Sequence, residues 1–118
     1  MKIIPISEME LGWFVGNFEP TAFKTKDVEV AYKIYSKNEN HTAHYHRIAT
    51  EINYLVKGVL EVKNGSQWVL IKPGEIFIFD PYDVAECKFI TACEIVVVKV
   101  PSVKGDKYVT GEDFLMNT

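Results

Sequence analysis

The run Val59-Leu-Glu-Val-Lys-Asn-Gly-Ser-Gln-Trp-Val-Leu-Ile-Lys-Pro-Gly-Glu-Ile-Phe-Ile-Phe79 decides the fold class. It reads as three strands, Val59–Lys63, Ser66–Ile71 and Glu75–Phe79, cut by two turns. Apolar and polar residues alternate or mix at strand period, and β-branched and aromatic residues dominate. Asn64-Gly65 tolerates positive φ at both positions and predicts a type I′ hairpin. In Lys72-Pro73-Gly74-Glu75, proline presets one dihedral and glycine releases the next, which predicts a second tight turn. Outward from this run the same pattern repeats at Val28–Tyr35, His41–Arg47, Glu51–Lys57, Val84–Ile90 and Cys93–Val100. Asp80-Pro81-Tyr82-Asp83 supplies a further turn, and Gly58 a bulge or corner. Helical candidates are single turns only, at Ile6–Leu11 and Gly111–Met116. About eight short strands with turn signals between them predict an all-β fold, a jelly roll or small barrel that closes its own edges.

A chain of 118 residues holds one core and forms one domain. It carries 13 basic and 16 acidic side chains, for a net charge of −3. That balance, with no lysine or arginine run, excludes the basic face a nucleic-acid surface requires. No apolar stretch reaches the length of a membrane span, and the first residues are too short for a signal-peptide core. Cys87 and Cys93 are too few for a disulfide scaffold, so a reduced, cytoplasmic protein is expected.

All three histidines fall between positions 41 and 46. His44 and His46 are two apart, so on a strand both imidazoles project from one face. Glu51 follows five residues later, with the wrong parity for that face on one continuous strand. A bend between Arg47 and Thr50 resets the parity and brings Glu51 onto a neighbouring strand facing the imidazoles. Two imidazoles and a carboxylate with open positions suit Fe(II) and related divalent metals. His41 lies in a polar turn region and is not expected as a ligand. Arg47, the sole arginine, is turned to the surface by alternation.

The string His44-x-His46-x4-Glu51-x6-Gly58 resembles the first motif of the cupin superfamily position for position. A weaker form of the second motif follows in Pro73-Gly74-Glu75 and Pro81-x-Asp83-x2-Glu86. The resemblance covers residues 38 to 100. It implies a double-stranded β-helix, or jelly-roll, barrel: a single cupin domain over 1–118 with its core at about 28–100 and both terminal extensions packing on it. Asn38 stands where the first motif opens with glycine, and asparagine also tolerates left-handed geometry. The second motif usually supplies a fourth ligand, a histidine, yet no histidine follows His46. Counting from Pro81 puts Glu86 in that slot; counting from Pro73-Gly74 puts Ala85 there. Glu86 preserves a ligand and is preferred, which gives His44, His46, Glu51 and Glu86 as the expected metal set. Such an acidic site favours Mn, Fe, Co, Ni or Zn over copper.

Asn53 shares the face of Glu51 and would reach a substrate hydroxyl. Tyr54 and Lys88 complete the candidate substrate contacts, Lys88 either offering charge to an anionic ligand or facing solvent. Neither a nucleophile elbow nor a phosphate-cradling loop is present, so chemistry must run through the metal. Fold does not fix function, and three readings follow. The first is a metal-dependent enzyme acting by Lewis-acid chemistry on a sugar-like or small organic acid ligand. The second is an Fe(II) dioxygenase, and the third a non-catalytic small-ligand-binding protein. The resemblance also implies a homodimer, with Trp13, Phe14 and Phe18 available to pack on a partner.

Overall fold

The computed structural model describes residues 1–110. In chain order its strands are β1 (Trp13–Gly16), β2 (Phe23–Lys24), β3 (Glu29–Tyr35), β4 (His44–Tyr45), β5 (Thr50–Lys57) and β6 (Leu60–Asn64). They continue with β7 (Gln67–Ile71), β8 (Ile76–Phe79), β9 (Cys87–Phe89), β10 (Cys93–Val100) and β11 (Tyr108–Val109). One sheet has the order β2-β1-β3-β10-β5-β8, a second β7-β6-β9, and β4 pairs with β11. This is the all-β jelly roll expected from the sequence.

Alternation along the strands builds the interior. On β5, Glu51, Asn53 and Leu55 are buried, whereas Tyr54 and Val56 are exposed. Ala31, Leu55, Ile95 and Val97 from the first sheet and Leu60, Val62, Ile71 and Phe89 from the second share one core. Leu55 and Leu60 are fully buried, and each contributes about 1.5–3 kcal/mol by leaving water. Between them Gly58 turns the corner at φ 95°. A Cβ there would stand 2.2 Å from the Ala92 carbonyl oxygen, so only glycine fits.

The turns differ from expectation in one respect. Asn64 pairs with Gln67, so the two-residue loop is Gly65-Ser66. Gly65 alone has positive φ, 65°, which is the sign pattern of a type II′ rather than a type I′ turn. Gly74 (φ 90°) fills the turn after Pro73, where Glu75 N–H donates to the Lys72 carbonyl at 3.1 Å. Asn38 is left-handed at φ 60°, the geometry a glycine would have supplied.

Two expected strands are shorter. Of His41–Arg47 only His44 and Tyr45 pair as β4, and Val84–Ile90 keeps only Cys87–Phe89. The expected turn at Ile6–Leu11 is a 3-10 turn at Ile6–Glu8; that at Gly111–Met116 lies outside the described residues. Trp13 packs on the core from β1, and the Phe18 ring lies over Gly16.

Candidate metal centre

His44 is set by β4, whose two neighbours are β11 and the isolated partner Ala85. The Ala85 pairing is tight: His44 N–H donates to the Ala85 carbonyl at 3.1 Å, and Ala85 N–H returns the bond at 2.7 Å. His46 follows on the same face. Between it and Glu51 the chain turns, as parity demanded, and the turn has a dedicated anchor. The buried Asp106 carboxylate accepts the N–H groups of Arg47 (3.0 Å), Ile48 (3.2 Å) and Ala49 (2.9 Å). Carboxylate bonds to consecutive backbone donors are charge-assisted and fix local geometry. The result is that His44, His46 and Glu51, all buried, present ligand atoms within 4.8 Å of one another.

The donor chemistry of this group fits a divalent metal. The Thr42 carbonyl accepts from His44 Nδ1 at 2.9 Å, which holds the proton there and leaves the Nε2 lone pair free, the arrangement metal-binding histidines use. His46 Nε2 is buried with no hydrogen-bond partner, a costly state for an imidazole nitrogen unless something binds it. Burial holds the His44 imidazole below its ordinary pKa, and pushes that of His46 down to about 4. Both are therefore neutral at pH 7, the form that coordinates. Asn53 Nδ2 donates to Glu51 Oε2 at 3.1 Å and orients the carboxylate.

The cupin-domain family model matches residues 32–98, more than half of the chain. The chain belongs to the cupin family. Solved structures resemble this cupin at low identity. A double-stranded β-helix protein from Klebsiella pneumoniae superposes with TM-score 0.66 at 18% identity, over 89% of this chain and 94% of that one. DMSP lyase DddQ from Ruegeria pomeroyi gives 0.69 at 14%, over 83% of this chain and 49% of the lyase. A putative sugar phosphate isomerase from Acidithiobacillus ferrooxidans gives 0.62 at 13%, over 73% and 58%. No curated protein matches the sequence.

The cupin's fourth slot departs from the preferred count. Glu86 does not join the group: its carboxylate lies 3.6 Å from Lys63 Nζ. Ala85, directly opposite His44, faces the cavity instead. The count from Pro73-Gly74 is the one the strand register follows, and Glu86 alternates outward. Among the described residues three side chains thus remain, and the acidic four-ligand argument for metal preference loses its basis.

The cavity beside the centre has a volume of about 360 Å3 and is lined by His44, Glu51 and Asn53 among others. Asn53 therefore stands where expected. Tyr54 does not, since it points outward and is exposed. Lys88 is exposed too, its ammonium 3.9 Å from the centroid of the Trp68 ring. Arg47 is not a free surface residue, because its guanidinium stacks 4.0 Å from the Tyr108 ring centroid. His41 lines the cavity 5.3 Å from the His44 ring. Its Nδ1 accepts the Cys87 N–H at 3.3 Å, and burial lowers its pKa to about 4. Cys87 is pushed up to about 12, chiefly by burial, and is no nucleophile at neutral pH.

Residues missed by the sequence reading complete the cavity: Trp13, Lys33, Tyr35, Lys99 and Lys107 all line it. Lys33 and Lys99 share the inward parity of Ala31 and Val97, which is the signal that would have found them. A wider groove of about 620 Å3 runs past Val62, Tyr82 and Glu86, and none of the three metal-site residues lines it.

Proposed function

We propose that this cupin is a metal-dependent enzyme acting on a sugar-like or small organic acid ligand. The observation that carries the proposal is the buried, unpartnered His46 Nε2 beside the His44 imidazole and the Asn53-oriented Glu51 carboxylate. His44, His46 and Glu51 would hold the metal, which as a Lewis acid would polarise a carbonyl or hydroxyl oxygen of the ligand. Asn53 holds the carboxylate of Glu51 and presents its amide to the cavity. Phe77, Phe79 and Phe89 wall the cavity on its apolar side and exclude water from the ligand. The similarity to a DMSP lyase and to a putative sugar phosphate isomerase supports small-molecule chemistry at this site by analogy alone.

A second reading, an Fe(II) dioxygenase, is favoured by the same triad: two histidines and one carboxylate with alanine in the fourth slot leave positions open for oxygen. The two readings separate in one experiment. Protein loaded with Mn(II) or Fe(II) is incubated with hydroxy acids, sugar acids and sugar phosphates, followed by proton NMR and an oxygen electrode. Turnover without oxygen uptake supports the Lewis-acid reading, and uptake that requires Fe(II) replaces it. Binding with no turnover identifies a ligand-binding cupin.

The reading includes a homodimer in the cytoplasm. Among the described residues no helix is long and apolar enough to cross a membrane, and both cysteines are free thiols. The outward face of the first sheet carries Tyr32, Val96, Tyr54 and Ile76 in one register row. Val30, Val98, Ile52 and Ile78 form the next. This apolar band supports pairing with a second copy; light scattering at twice the monomer mass is the expected result.

A further inference from the structure

The cavity carries a charge opposite to that of the chain. Among the described residues its charged lining is Lys33, Lys99 and Lys107 against one carboxylate, Glu51, whereas the chain as a whole is at −3. Two of these lysines are held in place. The ammonium groups of Lys33 and Lys99 lie 5.7 and 4.7 Å from the centroid of the same Trp13 ring, and a ring face attracts each cation. Lys33 Nζ also donates to the Leu11 carbonyl at 3.0 Å, and Lys99 Nζ lies 3.8 Å from Glu29 Oε2. Lys107 is exposed and comes from the segment after Asp106, the residue that anchors the metal-site turn. Burial and the like charges of Lys107 and Lys99 lower the Lys33 pKa, against smaller opposing effects of Glu39 and Glu51. Lys33 therefore feels the positive charge of the other two lysines. A loaded metal centre would add further positive charge to the same small space.

We propose that Lys33, Lys99 and Lys107 form an oxyanion-recognising wall, so that the ligand of this site carries a carboxylate or phosphate group bound by the lysines while its other oxygens reach the metal centre. The inference rests on the metal-site reading above and adds the ligand's charge and the residues that select it. Lysines act as point charges and do not require the planar fork geometry of a carboxylate–arginine pair, so both oxyanions are accommodated. Trp13 is a positioning residue in this arrangement, since it touches both ammoniums.

The test is calorimetric titration of the full Mn(II)-loaded chain with malonate, glycerol 3-phosphate and neutral glycerol. The two anions are expected to bind and glycerol not. Replacing Lys33→Met together with Lys107→Gln should raise the anion Kd about tenfold or more, the size of one or two lost charged contacts. Mn(II) affinity should stay within about threefold, and Lys88→Met, outside the cavity, should change neither. Lys99→Met would leave the Glu29 carboxylate without its partner, so Lys99→Arg serves there and should retain binding. Malonate binding alone assigns a carboxylate, and glycerol 3-phosphate binding alone a phosphate. Anion affinity unchanged in the lysine variants overturns the proposal, as does a Mn(II)-loaded chain that binds neither anion. If the wild-type chain takes up no Mn(II), the metal-site reading fails. The same titration on metal-free chain then decides the lysine wall: lysine-dependent anion binding upholds it and no binding overturns it.

Discussion

β5 and the segment from Ala85 to Phe89 line the same cavity, and they furnish it differently. β5 delivers Glu51 and Asn53, a carboxylate and the amide that orients it. The other wall delivers Ala85, Cys87 and Phe89, with a methyl group where cupins commonly place a ligand. Both backbone frames are tied by hydrogen bonds: β5 is laddered to β8 and β10, and Ala85, an isolated bridge, is locked to His44 by a reciprocal pair. What differs is chemistry on a fixed scaffold. The centre is therefore one-sided, with protein ligands from the β4–β5 side and free volume on the other.

Breaking the β4–β5 side has the largest effect. Asp106→Ala strips the acceptor from the N–H groups of Arg47, Ile48 and Ala49. It should cost about 3 kcal/mol of stability, given about 1–3 kcal/mol for each buried polar group left unmet. Urea denaturation measures the loss, and metal affinity should fall with it because the turn sets His46 against Glu51. Glu51→Gln keeps the shape and removes the charge. Metal affinity should drop about a hundredfold, equivalent to about 2.7 kcal/mol, with stability little changed.

Changes on the other wall have smaller effects. Ala85→His should restore a fourth ligand and tighten metal binding about tenfold, read by competition with a chelating dye. Acid should unsettle the metal-free protein in a defined window. Burial lowers His41 and His46 from 6.5 to about 4. Their neutral forms thus support the fold fully above pH 6.5, and that support is lost as pH falls towards 4. Denaturation midpoints measured from pH 7 to pH 4 should decline through that window. The smallest effect belongs to Glu86→Gln, which breaks only an ion pair with Lys63 at the surface. It should leave metal affinity unchanged within about twofold and stability within about 0.5 kcal/mol.

Most of the architecture was legible because alternation and turn chemistry are local. The strands from Val28 to Val100, the hairpin at Asn64-Gly65 and the bend that brings Glu51 to His44 and His46 are all visible in residue spacing. Other features were not. β11 is two residues long, and its existence depends on β4 offering an edge. Asp106 acts across a separation of 57–59 residues, which no local pattern encodes. The choice between Ala85 and Glu86 turned on register after Pro81. There Tyr82 takes a left-handed φ of 73°, and a one-residue shift exchanges the inward and outward faces. Lys33 and Lys99 share the inward parity of Ala31 and Val97, but a lysine on an inward face is read as solvated until the cavity is seen.

Whether His44, His46 and Glu51 hold a divalent metal is decided by mass-spectrometric metal analysis of tag-free protein, beside the His44→Ala/His46→Ala double variant. One equivalent of a divalent transition metal per wild-type chain and none in the variant is the expected result. A wild-type chain that stays metal-free after reconstitution with Mn(II), Fe(II), Co(II), Ni(II) and Zn(II) would contradict it.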